Sequence, residues 1–431
     1  MNSFVKNLSL PALLASALSA GAAEPQVSLL EERTGIHSDR RPIPVGYYDD
    51  KADKTFICWM TANSHPAIKA YAHSSGRWSD TKIVAESPFA DKHNYPAILR
   101  GKDGRIYMFY GCHNSTLKMA VSPQPGSIDG EWSDTFVEPA ERASYPAPVL
   151  TDDGTFYVFY RDTRRNNGYS DDRPYQFDKS TDGGHTWTRQ MAIDPYPRVT
   201  DSMMEVYNGQ IAYQPADSTG HGRIHLAWTI CGEKAGRHAH ATYGRNVYYA
   251  YLDLSNDHLY NVEGRDLGTT IDNEESDLYC QALETPIPER GHSAGLQVSV
   301  NFCDDGTPVI HYQYPQEGGG RLARWDGKEW RHTSFPGRGE PRGIEKLGPS
   351  SFRIYSTMGP GLVTFTTDDG GATVTREAEV ATPVSLSRCY PITDARPELK
   401  LFMISNPVVE GRETLKEGTR NIYTLNNIFD R

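Results

Sequence analysis

Residues 95–110 read YPAILRGKDGRIYMFY, and residues 145–160 read YPAPVLTDDGTFYVFY. The two align without a gap, 50 residues apart, with 8 of 16 positions identical. Each is an apolar run, an Asp-Gly turn (Asp103-Gly104, Asp153-Gly154) and a returning aromatic run. Asp-Gly supplies the positive φ that a tight hairpin turn needs, so each stretch reads as a β-hairpin.

A second marker follows the hairpins. Trp78 ends SGRW, Trp132 ends DGEW, Trp187 ends GGHTW and Trp330 ends GKEW. The first three lie 54 and 55 residues apart. A period near 50 residues with about four short strands per unit is the pattern of β-propeller blades. One four-stranded sheet cannot bury both faces alone, whereas sheets stacked around an axis bury one another. Counting hairpins predicts an all-β, seven-bladed propeller with units beginning near Lys54, Tyr95, Tyr145, Tyr213, Leu296, Arg342 and Glu398. The last unit is short of strands. Residues 26–33 (QVSLLEER) are expected to supply the missing one and close the ring. A six-bladed ring and a two-sheet sandwich are the rival architectures.

Composition agrees with strands. The 431 residues include 25 Tyr, 14 Phe and 7 Trp, with 38 Gly and 28 Pro for turns. No long stretch has helical period. The six cysteines are too dispersed for a small disulfide scaffold and allow one or two bridges. A net charge of −11 argues against nucleic acid or an anionic membrane as partner. It leaves room for an acidic sugar held in a local basic pocket.

The amino terminus carries Lys6, an apolar run over residues 8–20 and the small residues Ala20-Gly21-Ala22-Ala23. That is the pattern of a cleavable secretory signal over residues 1–23, too short and Pro-broken for an anchor. The expectation is a secreted or periplasmic monomer made of a single propeller over residues 24–431.

Ser180-Thr181-Asp182-Gly183-Gly184-His185-Thr186-Trp187 fits S-x-D-x-G-x-T-W, and residues 367–373 (TDDGGAT) form a degraded copy. These turns resemble the Asp boxes of sialidase and BNR-repeat propellers. The Asp caps backbone N–H groups of the turn, which speaks to fold and not to chemistry.

Chemistry is sought where the first strand of a repeat begins and its second strand ends, since those points share one end of the ring. In one repeat they are His93-Asn94-Tyr95-Pro96 and Gly111-Cys112-His113-Asn114. In the next they are Ser144-Tyr145-Pro146 and Tyr160-Arg161-Asp162. His93, His113, Tyr145 and Arg161 are therefore expected to converge. Any one alone reads as a core aromatic, a loop histidine or a surface arginine.

The run HNYPAI…DGRIYMFYGCHN followed by SYPA…DGTFYVFYR resembles the BNR-type propeller polysaccharide lyases. That group includes the ulvan lyases and the lyases acting on L-rhamnose-α-1,4-D-glucuronate; propeller α-L-rhamnosidases act on the same linkage. The match is strongest over residues 91–190. It implies catalytic roles for His93, His113, Tyr145 and Arg161, β-elimination from a uronate, and an anionic rhamnose- and glucuronate-containing polysaccharide as partner. The residue types suit that chemistry independently. Arg grips a carboxylate through two N–H groups, neutral His takes a proton near pH 7, and Tyr beside a cation can shuttle one. A hydrolase would call for two carboxylates across the bond, and only Asp162 stands at these strand ends.

Tyr213, aligned with Tyr145, and Arg245 are further substrate-binding candidates, with Arg237 beside the same loop. No cofactor is required by this chemistry. Cys231, His238, His240, Cys280 and His292 include zinc-ligand types, and some related propeller lyases carry zinc. No C-x-x-C or H-x-x-x-H spacing supports a site, so any such zinc is read as structural. Arg41-Pro42-Ile43-Pro44 resembles the amino-terminal arginine motif of sialidases without the rest of their pocket. The alternatives to a lyase are an α-L-rhamnosidase, a sialidase-like hydrolase or a non-catalytic sugar-binding propeller.

Overall fold

The computed structural model describes residues 25–36, 44–87, 91, 93–166, 170–196, 203–216, 222–232, 243–289, 291–296, 298–314, 319–337, 340–409 and 418–426. The signal-like residues 1–23, most of the 41–44 motif, Arg237, His238 and His240 lie outside them. Strands dominate, and helical structure among the described residues is confined to 273–280.

Four consecutive antiparallel strands form the repeating unit. Ala143–Leu150, Phe156–Arg161, Tyr175–Ser180 and Thr188–Asp194 pair in that order, and Ala97–Arg100, Ile106–Tyr110, Lys118–Val121 and Ser133–Phe136 do the same one repeat earlier. Each pair of opening strands is the hairpin read from the sequence. Gly104 and Gly154 take φ of 77° and 92° at its turn. In all, the described strands form seven sheets.

Aromatic and branched residues alternate across each sheet and fill the seams between neighbours. One such seam joins Val149, Tyr157 and Phe159 to Val206, Leu226 and Trp228 of the next sheet. The all-β propeller reading therefore holds.

Three unit boundaries shift. The sheet placed at Lys54 begins a strand earlier, at Gly46–Asp49. The sheet placed at Tyr213 begins with Met203–Asn208, and the one placed at Glu398 begins with Leu386–Pro391. In the first two cases the inner strand lacks the Tyr-Pro signature that marks the two best repeats, and in the third Tyr390-Pro391 stands at the far end of the strand.

The ring closes as read. Gln26–Thr34 runs antiparallel to Arg420–Asn426, from Gln26 opposite Asn426 to Thr34 opposite Arg420. The amino-terminal strand thus completes a sheet whose other three strands come from residues 386–426.

Both Asp boxes form. Asp182 Oδ1 accepts the N–H groups of His185 and Thr186, and Trp187 Nε1 donates to the Gly184 carbonyl. The degraded copy keeps the turn: Asp369 Oδ1 accepts the Thr373 N–H, and Thr367 replaces Ser180 as acceptor for the glycine N–H. All six cysteines are buried and none is bonded to another, so the bridges allowed by the sequence are not formed.

Candidate active site

The sequence groups its four candidates at one end of two adjacent repeats, and there the structure brings them together. The chain leaves Ile106–Tyr110 through Gly111, whose φ of 74° turns it sharply. It then lays the short strand His113–Ser115 against the next sheet, with His113 opposite Ser144 and Ser115 opposite Ala143. Asn114 locks this join, donating its N–H to Ser144 Oγ (2.9 Å) and accepting at Oδ1 from Thr163 Oγ1 (2.6 Å).

The neighbouring strand carries a bulge between Ser144 and Ala147. Inside it, Tyr145 adopts φ of 65°. An L-residue in this left-handed region costs about 1–2 kcal/mol, and a bulky aromatic is rare there. Bulges of this kind re-aim a side chain, and strain held by surrounding structure is characteristic of functional sites. The redirected ring stacks on Tyr95 (5.7 Å, 11°), approaches the His113 ring (5.7 Å) and covers Arg161, whose Cζ lies 4.7 Å from its centroid.

Arg161 is 1% exposed and forms the floor. Tyr207 covers its other face at 5.1 Å. Nη1 lies 3.5 Å from Glu205 Oε1, an oxygen that Arg173 also approaches at 3.2 Å. None of the three guanidinium nitrogens makes a hydrogen bond among the described residues. Burial works against its charge, but Tyr207, Tyr145 and Glu205 outweigh this and keep it firmly protonated.

His93 and His113 form the wall. Their rings lie 4.2 Å apart, inclined at 31°. Asp91 bridges them: His93 Nδ1 is 2.8 Å from Oδ1 and His113 Nδ1 is 2.9 Å from Oδ2. The His93 backbone N–H also donates to Oδ1, at 2.8 Å. Burial alone would raise the Asp91 pKa, but these hydrogen bonds hold the carboxyl well below the usual range. His113 moves the other way. Burial lowers its pKa against the pull of Asp91, with His93 and Arg161 adding to the lowering, so its neutral form is favoured.

Four residues of this cluster escape the sequence reading: Asp91, Glu205, Arg173 and Tyr207. Asp91 stands two positions before His93, just outside the quoted motif, where a loop carboxylate gives no periodic signal. Tyr207 lies on the inner strand that the boundary at Tyr213 skips. Tyr213 itself is at the opposite end of its sheet, its hydroxyl accepting the N–H of Asp152 in a hairpin turn (3.1 Å). The structure does not bring it to the site. Arg245 begins an outer strand and lines a separate groove with Asn246, Asp277, Gln281 and Glu284.

Among the described residues, Asp91, His93 and His113 place one donor atom each within 4.8 Å of one another, close enough to share a cation. Elsewhere, Cys231 Sγ and His292 Nδ1 meet at 3.7 Å. Cys280 is not part of that pair; it packs in the seam with Tyr248 and Ile271.

A family described as "BNR repeat-containing family member" matches residues 54–337, a span that includes the whole cluster. The chain belongs to this BNR repeat-containing family. Among curated proteins, this BNR-repeat chain is 23% identical over 311 residues to "Ulvan Lyase-PL25" of Pseudoalteromonas sp. (strain PLSV), covering 64% of this chain and 60% of that protein. It is 23% identical over 335 residues to an ulvan lyase of Alteromonas sp. (strain LOR), covering 70% and 65%. The chain thus spans less than two thirds of the length of these relatives. Among solved structures, it superposes on a PL25 ulvan lyase bound to -[GlcA(1-4)Rha3S]- with a TM-score of 0.71 at 18% identity, over 93% of this chain and 94% of that one. The polysaccharide lyase Uly1 superposes with a TM-score of 0.59 at 12% identity, over 91% of each chain. The propeller fold is shared with these lyases.

Proposed function

We propose that the protein is a polysaccharide lyase that cleaves L-rhamnose-α-1,4-D-glucuronate linkages of an anionic, ulvan-like polymer by β-elimination. The observation that carries this reading is the unbroken chain of contacts from His113 through Tyr145 to Arg161, held by a strained tyrosine backbone. The likeness to two ulvan lyases supports the substrate class.

The reaction breaks the C5–H and C4–O4 bonds and leaves a C4–C5 double bond. A uronate carboxylate laid over the floor lies in the field of Arg161, which stabilises the negative charge that develops as C5 loses its proton. Neutral His113 accepts that proton. The Tyr145 hydroxyl protonates the departing O4. His93 extends the wall against which the sugar lies. Hydrolysis fits less well, because the carboxylates nearest the site are already engaged. Asp91 is bound to two histidines and Glu205 to two arginines.

Around this site we read a seven-bladed, monomeric propeller over residues 24–431, exported after loss of residues 1–23. A zinc ion at Cys231 and His292 would fasten the segment bearing His292 to the strand Arg223–Gly232 and takes no part in the elimination.

Incubating the protein with ulvan and, in parallel, with gum arabic tests the reading. The expected result is a growing ultraviolet absorbance from a 4,5-unsaturated uronate. New reducing ends without that absorbance would establish a hydrolase instead.

A further inference from the structure

We infer that Asp91 is a positioning residue that fixes the tautomer of both histidines, so that His113 offers a bare Nε2 at the wall of the site. An ionised carboxylate can only accept hydrogen bonds. Both Nδ1 atoms lie at hydrogen-bond distance from it, on different oxygens. Each Nδ1 therefore carries a proton. A neutral imidazole holds only one, which leaves Nε2 as a lone pair. His113 Nε2 is buried and makes no hydrogen bond among the described residues, so no described group competes for it. The carboxylate is itself oriented, because the His93 backbone N–H anchors Oδ1. One side chain thus sets two rings at once.

This assigns a different fate to each ring when Asp91 becomes Asn. The amide keeps one acceptor and gains one donor. The backbone N–H of His93 holds the acceptor oxygen at the Oδ1 position, so the new NH2 group replaces Oδ2 and faces His113. There it donates to Nδ1 and forces the proton of His113 onto Nε2. His93 keeps its tautomer. The catalytic half of this inference rests on the lyase reading above; the tautomer half stands without it.

The test is nitrogen NMR of histidine-labelled protein without substrate, together with turnover of ulvan. In the native protein both rings should show Nδ1–H. In Asp91→Asn, His113 alone should switch to Nε2–H, and turnover should fall by about a hundredfold or more, the scale for losing a positioned base. Polymer binding by gel retardation should persist. Asp91→Glu, which keeps two acceptors, should retain the native His113 tautomer and more of the turnover. An unchanged His113 tautomer in Asp91→Asn overturns the inference. So does a stoichiometric metal ion, found by elemental analysis of the native protein and lost in Asp91→Asn. If native protein yields no unsaturated product yet the tautomers switch as described, the lyase reading falls and the role of Asp91 stands.

Discussion

His113 and Ser144 are ladder partners although they belong to successive repeats. The strand that carries the histidine leaves its own sheet and joins the neighbour, one residue away from Tyr145. The distance between the proposed proton acceptor and proton donor is therefore set by backbone hydrogen bonds and not by long, floppy side chains. Geometry fixed in this way is what a positioned acid–base pair requires.

Tyr145→Phe removes one oxygen and little volume. The ring still stacks on Tyr95 and covers Arg161, so the melting temperature should barely move. Turnover should drop by about a hundredfold or more. Gel retardation of the uncleaved polymer should be unchanged. A variant that melts much earlier yet turns over normally would make Tyr145 a core aromatic.

Arg161→Lys keeps the charge and loses the plane. A guanidinium fits flat between the rings of Tyr145 and Tyr207, and an ammonium cannot. Activity on the polymer should fall at least about tenfold with the fold intact by circular dichroism. Replacing Arg161 with Met should be worse for stability, at roughly 3–5 kcal/mol, since Glu205 then stays buried beside Arg173 with one cation fewer to meet its charge. Equal turnover in Arg161→Lys and native protein would remove Arg161 from the chemistry.

Deleting residues 26–34 should destabilise the whole ring. The cut removes the partner of Arg420–Asn426 and empties the place of Leu30, which packs with Trp59, Phe402 and Ile422. Leu30→Ala is the mild form, with an expected loss of about 2–5 kcal/mol. A truncated chain that melts at the native temperature would refute closure by this strand.

Two buried histidines far from the mechanism predict acid sensitivity. Burial, aided by Arg342, pushes His311 down to about 4, and burial with Arg223 and Lys346 pushes His225 down to about 3. In the unfolded chain both titrate near the ordinary 6.5. Below that pH the unfolded state binds more protons, so stability falls as pH drops from about 6.5 towards these values. The cost for His311 alone is at most about 3 kcal/mol. Neither of its ring nitrogens has a hydrogen-bond partner among the described residues. His311→Leu should therefore lose nothing at neutral pH and melt higher than native protein at pH 4.5. Parallel melting curves for both proteins from pH 7 to 4.5 would disprove this origin.

The repeat and its turns were legible because hairpin chemistry is local: an Asp-Gly pair between aromatic runs has one good backbone solution. The closing strand was legible for a similar reason, as a strand deficit at one end matched a spare strand at the other. His93, His113, Tyr145 and Arg161 could be aligned because equivalent positions of successive repeats share an end of the ring. The alignment failed at Tyr213, where a strong tyrosine in an ordinary turn contact outshone the quieter strand Met203–Asn208. Asp91 and Glu205 were invisible for a deeper reason. Their importance lies in what they touch across loops and seams, and no spacing along the chain encodes that.

The pairing of residues 26–34 with 420–426 joins the earliest described strand of the chain to the last. During synthesis the strand Gln26–Thr34 must wait, without this partner, until residues 420–426 have been made. Its exposed edge is a target for wrong partners throughout that interval. The ring is therefore fastened in a single late event, and the site, two sheets away from the clasp, is held in a closed circle only after residues 420–426 have been made.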